Sequence, residues 1–298
     1  MKTEGAEDLG SHPDFPASHV YYSRSEEFGF TSPLPSDGEL SAYYSGQYRQ
    51  NRNEAPTEHY LRGMGGRARN QHDYVVGRSG DAVIADVLDV GCAAGSFLET
   101  FNRDGARVTG FEPDERMSQK AREVLGESGT VYTKMFEPEM IAPESMDLVS
   151  ASHVLEHVPN PRQFLASLIR LLKPGGILFV EVPNSSHYTV RRQLVKRHVG
   201  NGHLHFFSPR SLQALLETFE LELLDVATYG PSLHWYIYFR YITGKWNRYA
   251  RKLLARATGY GPWPWRLEGE LTTRRAKSGA SLRCLARVTP LAGAGGDG

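Results

Sequence analysis

From Ala82 onward the chain alternates short apolar runs with stretches of helical period. Val83–Val90 is an apolar run that stops at Gly91, and Val108–Phe111, Val131–Phe136, Asp147–Ala151 and Ile177–Val182 follow as further strand candidates. Between them Ser96–Arg103, Asp114–Leu125 and Pro161–Leu172 carry the spacing of helices that bury one face. The last ends at Lys173-Pro174-Gly175-Gly176, a helix stop followed by a turn. Pro209–Thr218 predicts another helix, Leu221–Thr228 a strand and Ser281–Val288 the final strand. Strands alternating with helices of about 10–15 residues imply a parallel sheet, since parallel neighbours need a crossover between them. The expected fold is α/β, a mostly parallel sheet flanked by helices.

Met1 to about Asn70 lacks this rhythm and is rich in Ser, Gly, Pro, Glu and Tyr. It predicts a loop-rich arm with a short helix over Glu39–Arg52, on which Leu40, Tyr44 and Tyr48 share a face. Packing over the core's edge and serving as a lid both stay open for it. The expected organisation is an arm or lid at 1–70, a core at 71–230, an aromatic and basic insertion at 231–279, a final strand at 280–290 and a disordered Gly-rich tail at 291–298.

Charge narrows the partners. Lys plus Arg and Asp plus Glu both total 34, so nothing in the whole-chain charge calls for nucleic acid. Cys92 and Cys284 are the only cysteines and match no metal spacing, which suits a reducing compartment. Met1 to Gly10 lacks the apolar run of a secretory leader, and no stretch approaches the roughly 20 apolar residues of a membrane span. A cytoplasmic protein is expected.

The strongest chemical signal is Asp89-Val90-Gly91-Cys92-Ala93-Ala94-Gly95, where a strand passes into the helix beginning near Ser96. Glycines there let the backbone approach a ligand closely, and a helix N-terminus suits a carboxylate or other anion. The G-x-x-x-G spacing departs from the G-x-G-x-x-G of dinucleotide enzymes, which weighs against an oxidoreductase without closing that reading. Glu112 ends the next strand, 23 positions after Asp89, where an acid fits as acceptor for a ribose diol. Ser152 falls at the end of the fourth strand, near where ligands sit in an open parallel sheet.

This loop, Glu112, Asp147-Leu148-Val149 with Val154-Leu155-Glu156-His157-Val158, and Leu172-Lys173-Pro174-Gly175-Gly176 look like the successive motifs of class I S-adenosylmethionine (SAM)-dependent methyltransferases, over about Ala82–Thr228. The resemblance implies a Rossmann-like domain with SAM as cofactor. It implies that the turn from Asp89 through Gly91, Cys92 and Gly95 faces the methionine part, that Glu112 holds the ribose and that Met135 and Phe136 lie beside the adenine. Within it, His203-Leu204-His205-Phe206-Phe207-Ser208-Pro209 resembles a stretch of bacterial small-molecule methyltransferases acting on sugars, quinones and natural products.

His153-Val154-Leu155-Glu156-His157 also matches the H-x-x-E-H pattern of zinc proteases. A strand runs straight into it, and Pro159 and Pro161 interrupt any helix after it, so no metal is expected. An alcohol or phenol acceptor must lose a proton as it is methylated, a task suited to histidine. The candidates are His203, His157, His153 and His205, in that order. The expected reaction is methyl transfer from SAM to an oxygen of a small molecule such as a sugar, lipid or natural product. N- or C-methylation, and a SAM-binding partner protein without catalysis, stay open. Residues 233–256 interleave aromatics with Arg and Lys. They suit packing or pocket lining, or contact with a lipid surface or lipid substrate. Oligomeric state is not legible.

Overall fold

The computed structural model describes residues 4–44, 56–186, 202–230, 273–275 and 281–289. The aromatic and basic stretch 233–256, the tail 291–298 and the later part of the expected helix Glu39–Arg52 lie outside them.

The described chain begins with three strands, β1 (Glu7–Ser11), β2 (His19–Ser23) and β3 (Phe28–Ser32), and two helices, α1 (Asp37–Ala42) and α2 (Glu58–Val76). Then come β4 (Asp86–Val90), α3 (Ser96–Arg103), β5 (Arg107–Phe111), α4 (Glu115–Leu125), β6 (Gly129–Tyr132), β7 (Met146–Ser152), α5 (Pro161–Leu171) and β8 (Leu172–Pro183). The series closes with β9 (His205–Phe206), α6 (Pro209–Leu216), β10 (Leu221–Gly230), β11 (Thr273–Arg275) and β12 (Ser281–Val288).

One sheet has eight strands in the order β11-β10-β12-β8-β7-β4-β5-β6. The neighbours from β8 to β6 run parallel. β12 runs antiparallel to both β8 and β10. The chain leaves β4 in one direction to β5 and β6, then returns to the other side as β7 and β8. The order therefore reverses between β4 and β7, and ligands of open α/β sheets bind outside the carboxyl ends of such a pair. Val87, Leu88, Leu148, Val149, Phe179 and Val180 are fully or almost fully buried, because helices cover both faces of these central strands. The helix starts follow their caps. Asp114 accepts from the Met117 N–H, Asn160 from Gln163 ahead of Pro161, and Ser208 closes a capping box with Ser211 ahead of Pro209.

One expectation needs correction, and two features add to the reading. The described residues among the first 70 are not loop-rich: β1, β2 and β3 form an antiparallel meander, and α2 is a long helix. Short runs such as His19-Val20-Tyr21-Tyr22-Ser23 gain their strand character from pairing with each other, not from local pattern. The expected turn at Lys173-Pro174-Gly175-Gly176 interrupts the start of β8: Met146 pairs with Leu172 and Leu148 with Ile177, and Gly175 takes φ +80°. β9 has no signal in the pattern of the chain; it pairs Gly29 with Phe206 and Phe30 with His205, so the meander is stitched to the segment before α6. That seam is aromatic: the Phe28 ring lies 5.2 Å from Phe207 and 5.9 Å from His205.

Phe207 is buried in the same cluster as Val180, Val182, Leu212 and Leu216, so it joins the meander to the main core. Phe207→Ala should lower stability by about 3–5 kcal/mol, as for other buried Phe truncations. Urea unfolding followed by circular dichroism tests this, and an unchanged midpoint would show that the meander is not docked there.

Candidate active site

The turn after β4 is shaped by its own backbone. Gly91 and Cys92 both donate N–H bonds to the Phe111 carbonyl, at 2.8 and 3.0 Å. Gly91 has φ +77°, and a Cβ on it would stand 2.6 Å from Val154 Cγ2. The turn and the loop after β7 therefore touch here, and a side chain at position 91 would separate them. Cys92 is buried, and its Sγ fills the space that a Cβ on Gly110 would need, so it offers a ligand its backbone and not its thiol. Glu112 is buried at the end of β5. Its Oε2 accepts the Ala93 N–H at 3.0 Å and its Oε1 the Asp114 N–H at 2.9 Å. Each carboxylate oxygen can accept more than one hydrogen bond. Met135 is 59% exposed, whereas Phe136 packs edge-on against Phe111 and Phe164.

Asp89 is buried beneath this turn, and its Oδ1 has no hydrogen-bond partner among the described residues. Burial, reinforced by the nearby Glu112 charge, pushes its carboxyl up to about 7. A buried carboxylate in this state is suited to a cationic donor, and an ammonium group would satisfy it. The residues thus fit an amino-acid nucleoside: an acceptor for an ammonium at Asp89, a glycine turn, and an acid at Glu112 for a diol.

Beside it lies a network in which Ser152 meets partners that the sequence does not announce. Arg67 and Gln71, both on α2, donate to Ser152 Oγ at 3.2 and 3.0 Å and to Glu181 at 2.9 and 2.8 Å. Arg283 of β12 donates from Nε to Glu181 Oε2 at 2.9 Å. Burial alone would raise the Glu181 carboxyl, but the charges of Arg283 and Arg67 hold it well below the usual carboxylate range. The Arg67 charge also reaches Asp89. No local signal marks Arg67 or Glu181, because they stand 114 residues apart in the chain.

The loop after β7 carries a second buried acid. Glu156 is 1% exposed, and three imidazoles surround its Oε1: His153 Nδ1 at 3.1 Å, His157 Nε2 at 3.8 Å and His203 Nε2 at 4.0 Å. Burial opposes its ionisation, but these histidines bring its carboxyl down to about 2. His153 has a left-handed backbone, φ +57°, held by its N–H bond to the Glu181 carbonyl at 2.7 Å. Burial and Arg67 push its imidazole down, yet the bond to Glu156 and the Glu181 carboxylate 3.8 Å from its Nε2 outweigh them and raise it, so it favours keeping its proton. His157 Nδ1 lies 3.0 Å from Tyr44 Oη and 3.2 Å from the Gly202 carbonyl. The His203 ring meets His157 edge-on at 4.7 Å.

The meander holds this loop from outside. His12 Nδ1 accepts the N–H groups of Asp14 and Phe15, so Nε2 carries its proton and donates to the His203 carbonyl at 3.1 Å. Asp14 Oδ2 accepts the Gly202 N–H at 2.8 Å. From the other side, the Glu156 carbonyl accepts the N–H groups of both Leu204 and His205.

Of the four candidate histidines, His153, His157 and His203 gather around Glu156, whereas His205 does not join them. His205 is buried between Phe28 and Phe207, near the Pro159 carbonyl, and burial pushes its imidazole down to about 4. Among the described residues the group with ligand-like spacing is Glu156, His157 and His203, and His153 is not part of it. Two of the group's spacings are 3.8 and 4.0 Å, against roughly 3.4 Å between ligands about 2.1 Å from a tetrahedral zinc. No described helix is long and apolar enough to cross a membrane.

The sequence pattern of a family described as a methyltransferase domain matches residues 44–226. A ubiquinone biosynthesis O-methyltransferase from Xanthomonas oryzae pv. oryzae is 36% identical over 167 residues, which is 52% of this chain and 70% of that protein. One from Sodalis glossinidius is 37% identical over 116 residues, 38% of this chain and 47% of its own. A SAM-dependent methyltransferase from Thermotoga maritima superposes with a TM-score of 0.53 at 16% identity, covering 83% of this chain and 100% of that one. The 1,6-didemethyltoxoflavin-N1-methyltransferase of Burkholderia thailandensis, solved with that acceptor and S-adenosylhomocysteine, gives 0.52 at 17% identity over 94% and 99% of the two chains. At such identities the superpositions speak for the fold.

Asp89 makes a prediction about stability. Its folded carboxyl titrates near 7 against an ordinary value of 3.8, so between those limits the folded state binds more protons than the unfolded one. This contribution to stability is present at low pH and is lost as pH rises from about 4 to about 7. Asp89→Asn removes the ionisable group, so at pH 8 the variant should melt above the wild type, and the gap should narrow toward pH 4. Thermal melts across that range test it, and parallel curves would show that Asp89 is ionised without cost.

Proposed function

The chain belongs to the SAM-dependent methyltransferase family, and from that membership we propose that it methylates a hydroxyl oxygen of a small organic acceptor, with His157 as general base. SAM is its cofactor. When bound, SAM supplies an electrophilic methyl group on a sulfonium, which departs as a neutral thioether. In our reading Asp89 takes the ammonium of the methionine part, the turn from Gly91 through Cys92 to Gly95 lies along it, and Glu112 takes the ribose diol. Met135 and Phe136 border the adenine. Arg67, whose charge reaches Asp89 and whose guanidinium bonds Ser152, suits the methionine carboxylate.

One observation carries the choice of base: the buried, ionised Glu156 with His157 and His203 converging on it, in a loop whose Val154 abuts Gly91. The acceptor oxygen loses its proton to an imidazole nitrogen as it bonds to the methyl carbon, and the resulting imidazolium is stabilised by Glu156. His157 is favoured over His203 because its far nitrogen is already anchored by two oxygens. His153 is reserved by its pairing with Glu156 and acts as that acid's positive partner. Acceptor positioning contributes the remainder, and aligned reacting groups are worth about 7–11 kcal/mol. Similarity to O-methyltransferases of ubiquinone biosynthesis supports an oxygen acceptor. Activity without a bound metal ion belongs to the same reading, so dialysis against EDTA should leave the rate unchanged.

Two measurements test it. Glu112→Gln should weaken SAM by about 1.5–3 kcal/mol, the loss of a charged hydrogen bond, in calorimetric titration; wild-type affinity would remove Glu112 from the cofactor site. With labelled SAM and a panel of phenols, catechols and sugars, His157→Ala should keep SAM affinity while kcat falls about 10²–10⁴-fold. If His203→Ala loses that rate and His157→Ala does not, the base is His203. If neither loses it, the acceptor arrives already nucleophilic and methylation on nitrogen or carbon takes over as the reading.

A further inference from the structure

The hydrogen bonds around His157 decide which of its nitrogens can act. The Gly202 carbonyl can only accept, and it faces two neighbours, Tyr44 Oη at 3.3 Å and His157 Nδ1 at 3.2 Å. Tyr44 Oη and His157 Nδ1 are themselves 3.0 Å apart. If Nδ1 bore a lone pair, it would face the carbonyl oxygen lone pair to lone pair. The arrangement that satisfies all three atoms has Tyr44 donating to the Gly202 carbonyl, and Nδ1–H donating to the Tyr44 oxygen and the same carbonyl. The proton of neutral His157 then sits on Nδ1, and Nε2, itself buried, carries its lone pair on the side of Glu156 and His203.

We infer that Tyr44 is a positioning residue for this enzyme: its hydroxyl, anchored on the Gly202 carbonyl, fixes His157 in the tautomer whose Nε2 receives the acceptor's proton. The inference rests on the reading of His157 as base. Its construction extends beyond the pair. Gly202 has φ +68°, and a Cβ there would stand 2.5 Å from Tyr43 Cε1, so only glycine lets Tyr43 close over it. Asp14 fixes the Gly202 N–H from the meander. Tyr43 and Tyr44 thus clamp one peptide, the first by packing and the second by hydrogen bonding. Among the described residues, the groups that face His157 are Glu156 and His203 on the Nε2 side and Tyr44 with the Gly202 carbonyl on the Nδ1 side; Asp14 bonds the Gly202 N–H and His153 bonds Glu156. When Nε2 takes the proton from the acceptor oxygen, Nδ1 keeps its own, and Tyr44 stabilises the imidazolium through it. Tyr44 therefore sets both the direction and the strength of the base.

The test separates this from a packing role. Tyr44→Phe keeps the ring and removes only the hydroxyl. With ¹⁵N-histidine-labelled protein, and His157→Ala to assign the resonance, wild-type His157 should show the Nδ1–H tautomer. Tyr44→Phe should move it toward a mixture and lower its titration midpoint by about half a unit or more, since the charged form loses an acceptor. On the best acceptor of the panel, kcat should fall about tenfold and the acid limb of the pH–rate profile should move down, with SAM affinity and melting temperature near wild type. Unchanged nitrogen shifts and an unchanged acid limb in Tyr44→Phe overturn the inference. So does a wild-type His157 protonated on Nε2. A full rate in His157→Ala sinks the base assignment instead, and the nitrogen shifts still report on the clamp. If the variant melts early, Tyr44→His replaces it: a neutral imidazole with an acceptor nitrogen toward His157 should restore the wild-type acid limb, and failure to do so in a folded variant counts against the clamp.

Discussion

Glu156 is the residue on which the two halves of the site depend. Its carbonyl oxygen takes the N–H groups of Leu204 and His205, and its carboxylate faces His153, His157 and His203. Backbone and side chain of one residue therefore join the loop after β7 to the segment that precedes α6. An ionised carboxylate in so buried a place is costly unless charges and hydrogen bonds compensate it. Here the compensation comes from imidazoles, so the acid and its three histidines form one unit. The meander encloses it from outside through His12, Asp14 and Tyr44.

Glu181, on the neighbouring strand β8, has a comparable role. Two arginines and a glutamine surround it, and its neighbour Ser152 shares two of those donors. Buried ion pairs of this kind are weak arguments for stability. What this one accomplishes is placement: α2, β7, β8 and β12 meet at a single carboxylate, and Arg67 is held where its charge reaches Asp89. The sheet provides the carboxyl ends of β4 and β7, and these two acids determine what stands above them.

The central sheet was legible because its strands are buried on both faces and read as continuous apolar runs; β12 spans the same residues that the pattern predicts. The turn after β4 was legible as a turn because Gly91 and Gly95 lie close together between a strand and a helix. The meander was not, since β1, β2 and β3 are short, half-polar and stable only in each other's company. Nor was α2, where Gly63, Gly65 and Gly66 interrupt a polar helix that gains its stability by docking. His203 and His205 are two positions apart and carry no local sign of their different fates. The pairing of β9 with β3 buries His205 among phenylalanines and leaves His203 beside His157. Tyr44 was visible as a member of an aromatic helix face, but its partners lie 113 and 158 residues away.

The position of β12 has a consequence for how the molecule is made. This strand pairs with β8 on one side and β10 on the other, so it enters the middle of a sheet whose other long strands all precede it in the chain. On a ribosome, where the chain emerges from its N-terminus, β8 and β10 must wait with facing edges unpaired until residues 281–288 leave the exit tunnel. Glu181 waits as well, because Arg283 follows it by 102 residues. Open edges in an unfinished sheet are the surfaces through which nascent chains aggregate. Insertion of this strand closes the gap between β8 and β10, and the same event brings Arg283 to Glu181 beside the site.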